Sequence, residues 1–248
     1  MIIDRIWTYW HDLNDIPQYI LLCIDIMKKI SNVPVVVITD NDLLSFLPTI
    51  RKEFYMIKNK KHLDDDYNHI PHRVDYIRNQ LLYNYGGLWL DADTLLMPNF
   101  NDIFNVLKRA EDFAGRINEV DMIGINFMAS IPKGIVISEY IHQQDMILDR
   151  TTEIESGSSF ASRLLTPIVL NHSETSCLFI DQVSPIMFKN FHLFFEPGEP
   201  VSEYIKDDTY CCMLYNRVFP DEFKKMRREE ILNSDFLISK LFKYALSQ

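Results

Sequence analysis

The sequence contains no apolar run approaching the roughly 20 residues that a membrane-spanning helix needs, so a soluble or peripheral protein is expected. Its first residues, Met1-Ile2-Ile3-Asp4-Arg5, lack the basic and apolar regions of a secretory signal. Basic charge is also scarce. The formal charge of −10 argues against a nucleic-acid binder, whose phosphate contacts need a basic face. It leaves room for an anionic small substrate, because a metal ion can supply positive charge locally. Only four cysteines are present (Cys23, Cys177, Cys211, Cys212), and none has zinc or redox spacing. The adjacent pair Cys211-Cys212 is expected to be two reduced strand residues, and a reducing, cytoplasmic setting follows. No linker, low-complexity stretch or repeat interrupts the 248 residues, which points to one α/β domain with insertions.

What is present has α/β rhythm. Residues 2–9 read as a first strand, with Ile2-Ile3 and Ile6-Trp7 bracketing two charges. Residues 16–30 carry Ile16, Ile20, Cys23, Ile24 and Met27 at helical spacing. Pro34 then opens Val35-Val36-Val37-Ile38, a β-branched run typical of a strand buried on both faces. Thr39-Asp40-Asn41-Asp42 ends it and can cap a short helix into Leu43-Leu44. Such alternation predicts a parallel sheet, in which ligands bind outside the carboxyl ends of the strands.

The next segment is sharper. Pro71 is placed as a first-turn proline, and residues 72–85 form a predicted helix burying Val74, Ile77, Leu81 and Tyr85. Asp75 and Arg78 stand three apart and share a second face. Gly86-Gly87 ends the helix, the first glycine as a left-handed cap. Leu88-Trp89-Leu90 follows as a short buried strand that delivers Asp91 and Asp93 at its end. Farther on, residues 121–125 read as a strand and 135–148 as a helix. The chain from Asp221 onward reads as two amphipathic helices divided at Asn233-Ser234, with Ser234 as the N-cap of the second.

Two carboxylates one residue apart beyond a buried strand repel each other unless a cation or strong donors relieve them. Hard oxygen ligands of this kind suit Mg2+ or Mn2+, with water and phosphate oxygens completing the shell. Alone, the Asp-x-Asp triplet is an ordinary solvated turn. Its context, with the Asp75…Arg78 face and the glycine pair before it, is a composite signal.

Residues 72–96, HRVDYIRNQLLYNYGGLWLDADTLL, resemble the donor-site block of the Asp-x-Asp sugar-transferase family that includes yeast mannosyltransferases. The likeness is nearest to the bacterial capsular polysaccharide synthesis proteins and weaker to the glucosylating toxins of clostridia. Residues 5–10, 35–40, 125–130 and 192–220 are similar to other segments of that family. The resemblance implies a GT-A-like α/β fold: a mixed, mostly parallel nucleotide-binding sheet flanked by helices, with a helical C-terminal extension. It implies one domain, in which 1–100 form the donor half, 101–220 the acceptor half and 221–248 the C-terminal helices.

By position, the resemblance makes Asp91, Asp93 and Arg78 the catalytic group. It also implies that Trp10 stacks on the nucleotide base, that Asp75 and Arg78 hold the donor sugar and diphosphate, and that Asp91 contacts ribose or sugar hydroxyls. Asp93 would bind the metal directly, with Asp91 beside it. Asn126 would touch the donor or, with Asp181 and Glu196, line the acceptor side. The implied activity is metal-dependent transfer of a hexose from a UDP- or GDP-sugar to a glycan or lipid-linked acceptor, with retention at the anomeric carbon. One departure is visible. Where many relatives place a metal- or diphosphate-binding histidine, this chain has Cys212-Met213, soft ligands poorly matched to Mn2+ or Mg2+, and Asn216 is the candidate substitute.

Two rival readings remain open at this point. One is a non-catalytic relative that binds nucleotide or glycan. The other is a haloacid-dehalogenase-type phosphatase, because Asp91-Ala92-Asp93-Thr94-Leu95 fits its signature with Asp91 as nucleophile. Asp64-Asp65-Asp66 reads as a solvated acidic run, and His11, His69 and His72 have no ligand spacing. Lys224, Lys225, Arg227 and Arg228 precede apolar Phe236, Leu237, Leu241 and Phe242, a pattern that could support weak contact with an anionic membrane.

Overall fold

A computed structural model of the chain describes residues 1–64, 69–117, 122–155 and 162–247. Six strands form the main sheet: β1 (Ile6–Tyr9), β2 (Val35–Ile38), β4 (Gly87–Leu90), β6 (Phe113–Ile117), β7 (Ile123–Ser130) and β9 (Thr175–Leu178). Their order is β2-β1-β4-β7-β6-β9. Every strand runs parallel to its neighbours except β7, which is antiparallel to both β4 and β6. The expected mixed, mostly parallel sheet is therefore present. The carboxyl ends of the five co-directional strands lie along one edge. Two small sheets flank it: β3 (Lys58–Asn59) with β8 (Glu153–Ile154), and β5 (Thr94–Leu96) with β10 (Cys211–Met213).

Helices cover both faces. One core gathers β1 and β4 side chains with α1 (Gln18–Ile30), α4 (Ile103–Leu107), α7 (Ile180–Val183) and the C-terminal α8 (Asp221–Lys224), α9 (Arg228–Asn233) and α10 (Leu237–Leu246). The second joins Trp7 and Trp89 to α2 (Leu43–Phe46), α3 (Ile70–Tyr85), α5 (Ile135–Leu148) and α6 (Ser162–Asn171). No helix among the described residues is long and apolar enough to cross a membrane.

Several sequence expectations shift for identifiable reasons. β1 begins at Ile6, and Ile2 is exposed. β2 packs on both faces, yet Val35, Val36 and Val37 are only half-buried because β2 is an edge strand. Asp42 does not cap α2; its carboxylate turns back to accept from the Thr39 amide and hydroxyl. Val74 and Tyr85 are half-buried, since one lines a cleft and the other reaches out to donate to the Phe46 carbonyl. Residue 121 lies outside the described residues, and the strand there runs on to Ser130.

The C-terminal region forms three helices rather than two. Ser234 ends α9, and its hydroxyl turns to the Ile231 carbonyl and Ser239 instead of capping α10. Leu237, Leu241 and Phe242 are fully buried and Phe236 packs against the same core. The apolar face once open to a membrane reading is therefore used in folding. The nearby cations are engaged too, Arg227 with Glu230 and Arg228 with Asp25.

The junction from α3 to β4 sets the site. Gly86 has φ +65° and Gly87 φ +102°, conformations that an L side chain adopts only with strain. Gly86 stops the helix as expected, but its ψ of −161° is not that of a left-handed helical cap, and Gly87 is already strand. A Cβ on Gly86 would lie 2.7 Å from Pro132 Cδ and 2.9 Å from the Ser130 oxygen. The Trp7 indole donates to the Gly86 carbonyl at 2.8 Å, tying the turn to β1. Gly86→Ala should therefore lose about 1–3 kcal/mol, measured as a lower urea midpoint; an unchanged midpoint would refute this account of the turn.

Candidate active site at the carboxyl edge of the sheet

Asp91 follows β4 directly, at the centre of the carboxyl edge. One of its oxygens, Oδ1, accepts from the Trp89 indole at 2.7 Å and from Arg78 Nη2 at 3.0 Å. Arg78 Nη1 also donates to Asp75 Oδ1 at 3.2 Å, and the guanidinium lies 5.1 Å from the centre of the Trp89 ring. The i, i+3 spacing of Asp75 and Arg78 thus yields a pair that α3 turns inward, not a solvated surface pair. The side chain of Arg78 is only 4% exposed, so its cation is committed to two carboxylates in a weakly screened setting.

Asp93 is held from the other end of the chain. Antiparallel pairing of β5 with β10 sets Cys212 opposite Leu95 and Met213 opposite Thr94. The next amides then meet Asp93: Leu214 N–H donates to its carbonyl at 3.0 Å, and Asn216 N–H to its Oδ2 at 2.7 Å. Asn216 Oδ1 accepts from the Tyr19 hydroxyl. Tyr215, just before it, is in the left-handed region at φ 58°, a strained conformation for a tyrosine. Its hydroxyl donates to the Ile186 carbonyl at 3.0 Å and pairs with Ser184.

These groups open onto a cleft of about 280 Å³, with Trp10, Asp75, Arg78, Asp91, Asp93 and Asn216 in its walls. Six of the seven residues assigned to catalysis, the donor or the metal therefore converge. Asn126 is the exception and does not line the cleft. Its carbonyl accepts from the Asp91 amide at 3.3 Å, and its side-chain oxygen accepts from Arg116 Nε at 2.6 Å. The cleft is also lined by Tyr9 and Arg217, which sequence reasoning passed over, by His11, which it set aside, and by Lys224, which it read as part of a basic surface cluster. His11 could have been suspected from its place just past the carboxyl end of β1. Nothing local ties Arg217 or Lys224 to this cleft, since they reach it only because β10 and α8 return there. Trp10 is half-buried, and its indole N–H is buried without a hydrogen-bond partner, a costly arrangement that a bound acceptor atom would relieve.

The electrostatics are those of a site short of positive charge. Burial pushes Asp75 up to about 7 against the pull of Arg78, with Asp91 adding to the rise. Burial also pushes Asp93 up to about 6, again helped by Asp91 and opposed by the Asn216 amide. Among the described residues no three His, Cys, Asp or Glu side chains gather as a ready-made metal cage. Two carboxylates with recorded hydrogen bonds on one oxygen each still fit Mg2+ or Mn2+, ions that retain water and take substrate phosphates as ligands. The cysteines do not fit. Cys212 is buried with its thiol pushed up to about 12 by burial, and the Met213 sulfur accepts from Thr94 at 3.5 Å. All four cysteines are free.

Other residues lie elsewhere. Asp181 and Glu196 do not line the cleft. Asp64 is exposed, while residues 65 and 66 are outside the described residues. His69 is buried, accepting from the Asn59 amide at 2.9 Å. Asp207 and Asp208, the acidic pair a phosphatase would need, are exposed and away from the cleft.

Comparison with known proteins bears on the fold. Residues 1–118, slightly under half of the chain, match the family described as capsular polysaccharide synthesis protein. No curated protein matches the chain significantly. Among solved structures, the galactosyltransferase LgtC in complex with donor and acceptor sugar analogs superposes with a TM-score of 0.51 at 9% identity, covering 98% of this chain and 95% of that one. The glycosyltransferase GlyE of Streptococcus pneumoniae TIGR4 gives 0.50 at 12% identity, covering 99% of this chain. This chain spans 61% of GlyE's length. The bifunctional glycosyltransferase WbbM gives 0.50 at 9% identity, covering 100% of this chain and 50% of its own. At these identities the likeness is one of fold, and the fold is that of the GT-A glycosyltransferases.

The raised carboxyls have a thermodynamic consequence. A folded state that holds protons the unfolded chain has released loses stability as pH rises. Asp75 and Asp93 together make the ligand-free protein less stable as pH climbs from about 4 to about 7, and level above that. Thermal unfolding across pH 5 to 8 should show this fall, reduced in Asp93→Asn. Manganese should raise the midpoint more at pH 8 than at pH 5. A midpoint that rises through this interval would contradict the assignment.

Proposed function

We propose that this protein is a divalent-metal-dependent hexosyltransferase that moves a sugar from a UDP- or GDP-sugar to a glycan or lipid-linked acceptor. The observation that carries the reading is the pairing of Asp91 and Asp93 at the end of β4, with Asp75 and Arg78 behind them and Trp10 across the same cleft. The family match over the N-terminal half and the fold support it.

In this reading Asp93 and Asp91 hold Mn2+ or Mg2+, and the carboxamide oxygen of Asn216 retains a lone pair for the same ion. The bound ion would stabilise negative charge on the diphosphate as the sugar leaves. The remaining work belongs to the chain. Trp10 offers a flat face to the base and an unsatisfied N–H to an acceptor atom on it. Asp75 accepts from sugar hydroxyls, while Arg78 holds the Asp91 carboxylate in place through Oδ1. Arg217 and Lys224 supply positive charge beside the diphosphate, in place of the histidine that the family resemblance implies, while Asn126 stays outside the cleft and its carbonyl accepts from the Asp91 amide. Transfer with retention at the anomeric carbon follows from the family resemblance. Free cysteines agree with a cytoplasmic setting. Membrane contact through the C-terminal helices is not part of this proposal, because their apolar faces are packed inward.

A second reading, a nucleotide- or glycan-binding protein without turnover, is favoured by one observation: the position of the missing histidine is filled by buried sulfur side chains. The two readings separate on incubation with manganese and a panel of nucleotide sugars. Nucleoside diphosphate release coupled to sugar transfer is expected, whereas binding without release supports the second. Asp93→Ala should lower turnover roughly 100-fold or more. If it left donor binding and turnover unchanged, the proposal would be wrong. Trp10→Ala should weaken nucleoside diphosphate binding by about 1–3 kcal/mol, the worth of a base–aromatic stack, read by calorimetric titration in manganese. An unchanged affinity would remove Trp10 from the base site.

A further inference from the structure

Arg116 is a buried cation at the carboxyl edge that the proposed reaction does not use. The register of β6 against β7 shifts between Gly115 and Arg116, a β-bulge of the kind that re-aims a side chain. Arg116 then lies opposite Gly124, where a Cβ would sit 2.9 Å from its Nε and 3.0 Å from its Cζ. Glycine at 124 is thus the condition for the guanidinium to lie flat against the strand. From there Nε donates 2.6 Å to Asn126 Oδ1, with Arg116 7% and Asn126 9% exposed. Arginine has only donors, so the carboxamide oxygen must face it and the amide group is locked in one orientation. The carbonyl of the same asparagine accepts from the Asp91 amide at 3.3 Å. Asp91 is therefore held twice, its side chain from α3 by Arg78 and its backbone from β7 by Asn126.

We propose that Arg116 is a positioning residue which, through Asn126, sets where β4 delivers the Asp91 carboxylate. A continuous chain of hydrogen bonds, Arg116–Asn126–Asp91–Arg78–Asp75, crosses the sheet edge, and Arg116 is its anchor on the side away from the cleft. The consequence for transfer rests on the function proposed above; the structural claim does not.

The Trp89 indole reports on Asp91 directly through its 2.7 Å bond, and the Trp7 indole, bonded to Gly86, is an internal control. In ¹⁵N-labelled full-length protein, Arg116→Gln should move the Trp89 indole resonance and leave that of Trp7 in place. In an Asn126→Ala background the same substitution should produce no further movement. With a working donor and acceptor, Arg116→Gln should lower kcat about tenfold or more, as misplacement of a catalytic group does, with the donor KM within about threefold of wild type. Should Arg116→Gln not fold, Arg116→Lys is read by the same resonances. An unmoved Trp89 signal, equal movement of Trp7 and Trp89, or additive shifts in the Asn126→Ala background would each overturn the proposal. If wild type transfers no sugar, the functional reading fails alone, and the indole resonances still decide the role of Arg116.

Discussion

The guanidinium of Arg78 lies between the carboxylates of Asp75 and Asp91 and against the face of Trp89. Buried charges are tolerated only when paired and hydrogen-bonded, and here one cation serves two anions. A third carboxylate, Asp93, stands beside them with backbone donors as its recorded partners. The arrangement is thus held together and yet left short of positive charge. That shortage is the physical basis for expecting a divalent ion.

The surrounding architecture can be understood as support for that cluster. Gly86 and Gly87 let the chain reverse from α3 into β4 within two residues, which brings Arg78 back over Trp89 and Asp91. The Trp7 indole holds the reversal from β1. On the opposite side, β10 pairs with β5 and brings the Asn216 amide to Asp93 from 123 residues away. The left-handed Tyr215 sits at the corner where this strand leaves the site. Strain at that corner is sustained by two hydrogen bonds to the tyrosine hydroxyl and by aromatic packing on Phe188 and Phe194.

The family resemblance implies a histidine where this chain carries Cys212 and Met213. Cys212 and Met213 point into packed surroundings and were never candidates for a hard cation. The same return of the chain carries Asn216, Arg217 and Lys224 into the cleft wall instead. Two cations, Arg217 and Lys224, thus stand in the wall of the cleft that holds the carboxylate cluster and its excess of negative charge.

Much of this was legible in the residues themselves. Helical periodicity located α1, α3 and α5, a β-branched run located β2, and the glycine pair with Asp-x-Asp located the turn and the strand end. These features depend on the backbone within a few residues, where spacing and side-chain shape decide. The i, i+3 spacing placed Asp75 and Arg78 on one face, but whether that face met solvent or a second carboxylate was undetermined. The tertiary structure decided the rest. It made β2 an edge strand, turned the apolar face of α10 into the core and made Ser234 an end rather than a beginning. It also joined Asn216 to Asp93 and Arg116 to Asn126. Each of these depends on which strand lies beside which, and no local pattern in one chain encodes a contact made across a hundred residues.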